Sequence, residues 1–146
     1  MVRILLDTNI ILRNVAIPGM QHDEVADALN RLTLRGDELC VGTQNIMEFW
    51  VVATRPQSVN GFGLTPDQAR QEVDIIMRTF IVLRDTSDLL ELWLDLCSRY
   101  AVSGRPAHDA RLVALMLAHN VTHLLSLDPG GFARYTEITC LQPADV

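Results

Sequence analysis

Four carboxylates, Asp7, Glu48, Asp109 and Asp128, stand in surroundings that ask for a chemical explanation. Asp7 closes the apolar segment 2–6, and Asp128 follows the apolar segment 122–125 by a few residues. In open parallel α/β sheets the ligand crevice lies at the carboxyl ends of the strands, so two acids so placed are candidates to share one site. An aspartate after a strand also caps the next helix, and that reading stays open for each. Glu48 lies within Asn45-Ile46-Met47-Glu48-Phe49-Trp50-Val51-Val52-Ala53, a segment apolar nearly all round. A helix of that kind is usually buried, and an ion left unpaired in it is costly. No arginine stands three or four positions away. A partner from elsewhere is required, and a cation would serve; the other reading is an exposed position on a half-buried helix. Asp109 precedes Leu112, Val113, Met116 and Leu117, the inward stripe of a helix beginning near His108. The helix dipole favours an anion there for purely structural reasons too.

Gathered in one crevice, four such carboxylates could not all stay ionised without a counter-charge. An oxygen-only donor set suits Mg²⁺ or Mn²⁺. The chemistry such a site supports is metal-assisted hydrolysis of a phosphodiester.

The elements that must position these acids alternate along the chain. Strands are expected over residues 2–6, 38–42, 80–83 and 122–125, with a weaker fifth over 137–140. Asp7-Thr8-Asn9 reads as a turn or helix start. Helices are expected over 22–34, from a Thr43 cap to Thr54, from Thr65-Pro66-Asp67 to Thr79, from a Thr86-Ser87-Asp88 cap to Tyr100, and over 108–118. Residues 55–64 and 103–106 read as loops. This alternation predicts one α/β domain spanning residues 1–146, with a mostly parallel sheet of four to five strands and helices on both faces.

Composition narrows the function. The 146 residues suffice for one core, and 49% hydrophobic with 21% charged residues describes a folded chain. The net charge is −6 and all 12 basic residues are arginines. Phosphate neutralisation supplies most nucleic-acid affinity, so a passive nucleic-acid coat is disfavoured, whereas a nuclease whose arginines gather on one rim is not. Without lysine there is no P-loop. No segment is long and apolar enough to span a bilayer, and the N-terminus lacks the apolar core of a signal peptide, so the cytoplasm is the expected compartment. Cys40, Cys97 and Cys140 are too far apart for a CxxC site and read as small apolar side chains. Trp50 and Trp93 read as core or subunit-interface residues, and His22, His119 and His123 as ordinary. Arg13, Arg105, Arg111 and His108 neighbour the acids in sequence and are candidate phosphate contacts, with solvated surface positions as the plainer account.

From Asp7-Thr8-Asn9 onward the chain resembles the PIN domain family. Glu48 on a helix after the second strand, His108-Asp109-Ala110 opening the penultimate helix, and Leu124-Leu125-Ser126-Leu127-Asp128 followed by Phe132 fall in the family's order. The Arg55-Pro56 to Asn60-Gly61 loop looks like that of bacterial toxin-type members. The resemblance implies a VapC-like endoribonuclease, the toxin of a toxin–antitoxin pair, acting with Mg²⁺ or Mn²⁺ on single-stranded or structured RNA. It implies Asp7, Glu48 and Asp109 as core acids, Asp128 as a fourth, and Thr8, Asn9 and Ser126 as groups that hold water or orient carboxylates. It further implies a homodimer, a cognate antitoxin partner, and products with 5′-phosphate and 3′-hydroxyl ends. Single-stranded DNA stays open as a substrate. Many relatives carry an acid before the final phenylalanine where this chain has Gly131, which puts a second metal site in question.

Two other aspartate-first enzyme classes fit poorly. Haloacid-dehalogenase-like phosphatases need a second aspartate where Asn9 stands, and they share with receiver domains a lysine this chain lacks. The competing reading is a non-catalytic PIN-like module that binds or regulates a partner. Retention of Asp7, Glu48 and Asp109 argues for the enzyme.

Overall fold

The structure, a computed structural model, describes residues 1–16 and 20–146. Side-chain alternation along the first strand divides its core in two. In β1 (Arg3–Leu6), Ile4 and Leu6 face one side of the sheet and Leu5 the other, and all three are fully buried. Ile4 and Leu6 meet α1 (Thr8–Val15), α2 (Met20–Leu34), α3 (Thr43–Thr54) and α4 (Pro66–Thr79), which contribute Ile10, Leu29, Phe49 and Val73 among others. Leu5 meets α5 (Leu89–Arg99) and α6 (Pro106–Ala118), through Leu96, Leu112 and Leu115.

The sheet adds β2 (Glu38–Gly42), β3 (Ile81–Leu83), β4 (His123–Leu125) and β5 (Thr139–Leu141) in the order β3-β2-β1-β4-β5, every pair parallel. Leu5 lies opposite Cys40 on one side and Leu124 on the other. The expected α/β sheet with helices on both faces is therefore present, with five strands and no antiparallel pair among the described residues. The chain winds outward from β1 through β2 to β3, then returns to place β4 on the other flank of β1. The strand order thus reverses between β1 and β4, where such sheets open a crevice at their carboxyl ends.

Local chemistry explains most element ends. Thr65 caps α4 reciprocally with Gln68 and Pro66 takes the first helical position, as expected. Of the two readings of Asp7-Thr8-Asn9, the helix start is the one present: it opens α1, for which Asp7 is the N-cap. Several other boundaries differ from the sequence expectation. Thr43 is the first residue of α3 and not its cap: Gly42 holds the cap position, and Asn45 Oδ1 accepts its backbone N–H at 2.8 Å. α6 begins at Pro106, not His108, because proline's missing N–H costs nothing in a first turn. β5 starts at Thr139; Glu137, expected within it, instead accepts from Arg99 at 2.8 Å and from Tyr100.

Trp50 and Trp93 are half-buried against the two cores, and the Trp93 indole donates to the Ala107 carbonyl at 2.8 Å. The three cysteines are free, with Cys40 buried and the others half-buried. No helix among the described residues is long and apolar enough to cross a membrane.

Candidate active site

The reversal between β1 and β4 brings two acids to adjacent strand ends. Asp7 follows β1, its backbone N–H donating to the Leu125 carbonyl at 2.9 Å, and Asp128 stands just beyond β4. For Asp7 the capping reading holds, and its second oxygen also has a partner. Its Oδ1 accepts from the Thr8 N–H at 2.7 Å, while its Oδ2 accepts from Ser126 Oγ at 2.7 Å. Burial pushes the Asp7 carboxyl above its ordinary range against those two bonds, with repulsion from Glu48 and Asp128 adding to the rise.

Ser126 is locked as a donor to Asp7. Asn9 Nδ2 reaches its hydroxyl at 3.4 Å and the Asp128 N–H at 3.0 Å, which leaves the single hydroxyl proton for Asp7 Oδ2. Asn9 is itself oriented, since its Oδ1 accepts from the Leu127 N–H at 3.1 Å. A second relay runs from α3. The fully buried Asn45 donates through Nδ2 to Thr8 Oγ1 at 3.1 Å, which turns the Thr8 proton toward Glu48 Oε2 at 3.5 Å, the outer limit of a hydrogen bond.

Glu48 departs from the burial argument. It is exposed, and so are its neighbours Met47 and Val51 at 63% and 58%. α3 buries only the face carrying Gln44, Asn45, Phe49 and Ala53, so the apolar residues around Glu48 form the wall of a cleft. Besides Thr8, Glu48 has a much closer partner on its own helix: Gln44 Nε2 donates to Oε1 at 2.6 Å. An amide four residues earlier escapes a search for cations, although the spacing is that of facing helical side chains.

Asp109, half-buried in the first turn of α6, is pushed up to about 6 by burial and then by repulsion from Asp7, Glu48 and Asp128, with His108 opposing. Asp109 thus feels the other three acids, and Asp7 feels Glu48 and Asp128. Among the described residues none of them forms an ion pair. A cleft of about 790 Å³ opens beside them, walled by Glu48, Asp109, Met47, Val51, Arg105, His108 and Arg111. Arg13 is exposed on α1 and lies outside that lining.

Whether these residues suit a divalent ion depends on donor chemistry. Among the described residues, no three acid, histidine or cysteine side chains come together as a ready-made metal site. Mg²⁺ does not need one, since it keeps several waters and takes one or two protein carboxylates directly. Oxygen-only donors carrying uncompensated, mutually repelling charge fit such an ion. Gly131 bears on capacity: a Cβ built there would lie 3.3 Å from Asp109 Oδ2 and 3.6 Å from Asp128 Oδ2. Gly131→Asp should therefore add a fifth carboxylate between those two, lowering the Tm of the metal-free protein and tightening Mn²⁺ binding. Thermal melts with and without Mn²⁺ check both signs.

The raised Asp109 carboxyl gives a pH prediction for the metal-free protein. A carboxyl held at about 6 when folded and at 3.8 otherwise binds its proton more tightly in the native state. Its contribution to stability is full below pH 3.8 and is lost as pH rises through about 6. Discounted for its half-exposed position, the loss is about 1 kcal/mol. Asp109→Asn should remove it, raising the metal-free Tm at pH 7 by about 2–4 °C. Thermal melts from pH 4 to 8 would show the wild-type decline flattened in the variant.

The comparisons with known proteins agree with this architecture. Among solved structures, VapBC2 from Rickettsia felis bound to a DNA fragment from its promoter superposes with a TM-score of 0.74 at 14% identity, covering 96% of this chain and 98% of that one. VapBC-1 from nontypeable Haemophilus influenzae gives 0.70 at 18% identity, over 97% and 98%. VapC20 from Mycobacterium tuberculosis, a sarcin-ricin loop cleaving toxin, gives 0.64 at 17% identity, over 92% and 98%. At these identities the likeness is one of fold. No curated protein matches in sequence. The model of the PIN domain family, however, matches residues 4–138, nearly the whole chain, and the protein belongs to that family.

Proposed function

We propose that this protein is a metal-dependent endoribonuclease, hydrolysing RNA phosphodiester bonds as the toxin of a toxin–antitoxin pair. The observation that carries the proposal is the set of carboxylates Asp7, Glu48, Asp109 and Asp128, drawn from four places in the chain: Asp109 is repelled by the other three and Asp7 by Glu48 and Asp128, and among the described residues no cation pairs with any of them. Asp7, Glu48 and Asp109, with Asp128 as a fourth acid, would hold Mg²⁺ or Mn²⁺. When bound, such an ion supplies Lewis-acid polarisation of the scissile phosphate and a more acidic water.

The chain's own groups supply the rest. Ser126 and Thr8 donate to Asp7 and Glu48 and hold their oxygens in place, while Asn9 and Asn45 set the direction of those donations. A carboxylate in the crevice takes the proton of the attacking water. Arg105 is an exposed cation lining the cleft, and on a chain of net charge −6 it gives an incoming phosphate backbone local attraction. The antitoxin partner and RNA over single-stranded DNA rest on the likeness to the VapBC complexes and to the sarcin-ricin loop cleaving toxin. The homodimer rests on the family resemblance, and cytoplasmic residence on the sequence expectation.

The test is cleavage of a labelled single-stranded RNA with Mg²⁺, with Mn²⁺ and with EDTA, beside Asp7→Asn and a matched DNA strand. Metal-requiring cleavage lost in the variant supports the proposal. Cleavage that survives in the variant or in EDTA sinks it. Neither cleavage nor metal binding would favour the second reading, a non-catalytic partner-binding module, for which the exposed Met47 and Val51 on the cleft wall are the relevant surface.

A further inference from the structure

We propose that Gln44 is a positioning residue that holds Glu48 toward the acidic crevice, and that Arg111 sets the polarity of its amide. The proposal deepens the nuclease reading and rests on it for its catalytic meaning. Glu48 needs such a device. It stands on the exposed side of α3, where a glutamate is free to sample solvent rotamers. What distinguishes it is the 2.6 Å bond to its Oε1 from Gln44, a side chain only 8% exposed.

Gln44 makes three contacts whose polarities agree. Its Nε2 donates to Glu48 Oε1 and, at 3.0 Å, to the backbone carbonyl of His108. Its Oε1 accepts from Arg111 Nη1 at 3.1 Å. A glutamine amide turned by 180° would fill the same space, so shape does not choose between the two orientations. Arg111 does. A guanidinium has only donors, and it can face only the amide oxygen. The amide nitrogen is then directed at two groups that can only accept. In the flipped state a carbonyl oxygen would face a carboxylate and a backbone carbonyl, and an amino group would face a guanidinium. Arg111 is anchored in turn, because its Nη2 donates to Asp85 Oδ2 at 2.7 Å.

The brace also joins two acids. His108, whose carbonyl Gln44 grips, immediately precedes Asp109 in the first turn of α6. One buried amide therefore ties the Glu48 carboxylate to the backbone that carries Asp109, across the cleft wall between α3 and α6. Arg111, open to reading as a plain phosphate contact, instead spends two of its donors inside the protein.

The experiment compares Gln44→Met, which keeps length and volume but removes the amide oxygen and the amide NH2, with Arg111→Met and the double variant. Three readouts are taken: Mn²⁺ affinity by calorimetry, RNA cleavage as kcat and KM, and contacts from the Gln44 side-chain amide protons to Glu48 by NMR in the metal-free protein. Thermal melts verify that each variant folds. The expected results are slow-exchanging Gln44 amide protons with contacts to Glu48 in the wild type, lost in Arg111→Met. Mn²⁺ binding should weaken by about tenfold or more in each single variant, the range for losing an outer hydrogen-bond partner of a metal ligand. The double variant should be no worse than either single one. Additive losses, or a KM effect in Arg111→Met with unchanged Mn²⁺ affinity, would make Arg111 a direct substrate contact and overturn the proposal. So would Gln44→Met binding Mn²⁺ like the wild type. A wild type that shows the Gln44–Glu48 contacts, and their loss in Arg111→Met, but binds no Mn²⁺ would uphold the brace and overturn the nuclease reading.

Discussion

Asp7→Asn is expected to lower RNA cleavage by about 10²–10⁴-fold, the scale of losing a positioned acid–base group, while leaving the fold intact. The size of the effect follows from what the substituted amide does to its neighbours as well as from the lost charge. Asp7 accepts two hydrogen bonds, from the Thr8 N–H at 2.7 Å and from Ser126 Oγ at 2.7 Å. An amide can satisfy only one of them. Its nitrogen would face Ser126, whose oxygen already takes donors from Asn9 and Asp128. The serine proton then has no acceptor, and the relay that held it reverses or breaks. Metal affinity should fall with activity, by tenfold or more. Metal-free stability should change little, because replacing a carboxyl already raised by burial with a neutral group offsets the cost of the unsatisfied serine proton. Single-turnover cleavage, Mn²⁺ titration and circular dichroism read the three quantities. A variant that cleaves at the wild-type rate would remove Asp7 from the site.

Phe49→Ala carries the largest expected loss of stability, about 3–5 kcal/mol. Phe49 follows Glu48 in sequence but points the other way, fully buried in the core shared by β1, α1, α2 and α4. Truncation leaves a cavity beneath the helix that presents Glu48. For a domain of this size each kcal/mol moves Tm by roughly 2–4 °C, so a fall of roughly 6–20 °C is expected. Val51→Ala, on the exposed wall of the same helix, should stay within about 0.5 kcal/mol. Urea denaturation of the two variants side by side decides the matter. Equal losses would mean that α3 packs differently from the arrangement described.

Much of the fold was legible because the signals that specify it are local. The strand–helix alternation, the cap and proline that open α4, and the inward stripe that begins at Asp109 each need only a few neighbouring residues to act. Asp7, Glu48, Asp109 and Asp128 could be singled out for the same reason: each interrupts or ends an apolar pattern. For Glu48 the sequence leaves two readings, a buried ion and an exposed position on a half-buried helix, and the second holds: Met47 and Val51 wall an open cleft and the Glu48 carboxylate is exposed. Composition along one helix says nothing about which neighbours arrive to cover it. Gln44 and Asn45 give no such local signal, because polar residues in a helix's first turn are ordinary and their partners are distant in the chain. Arg111 lies 67 residues from Gln44, and Ser126 lies 119 from Asp7.

The residue types and their order were thus enough to specify an α/β domain with a set of acids suited to a hard cation. Chain folding in space settled the rest. The order β3-β2-β1-β4-β5 leaves every local preference unchanged, yet it alone puts the ends of β1 and β4 side by side and so brings Asp7 to Ser126 and Asp128. The polarity of the hydrogen bonds around Glu48 was likewise settled only when α6 packed near α3, because an amide takes its orientation from whichever donors and acceptors the assembled structure sets around it.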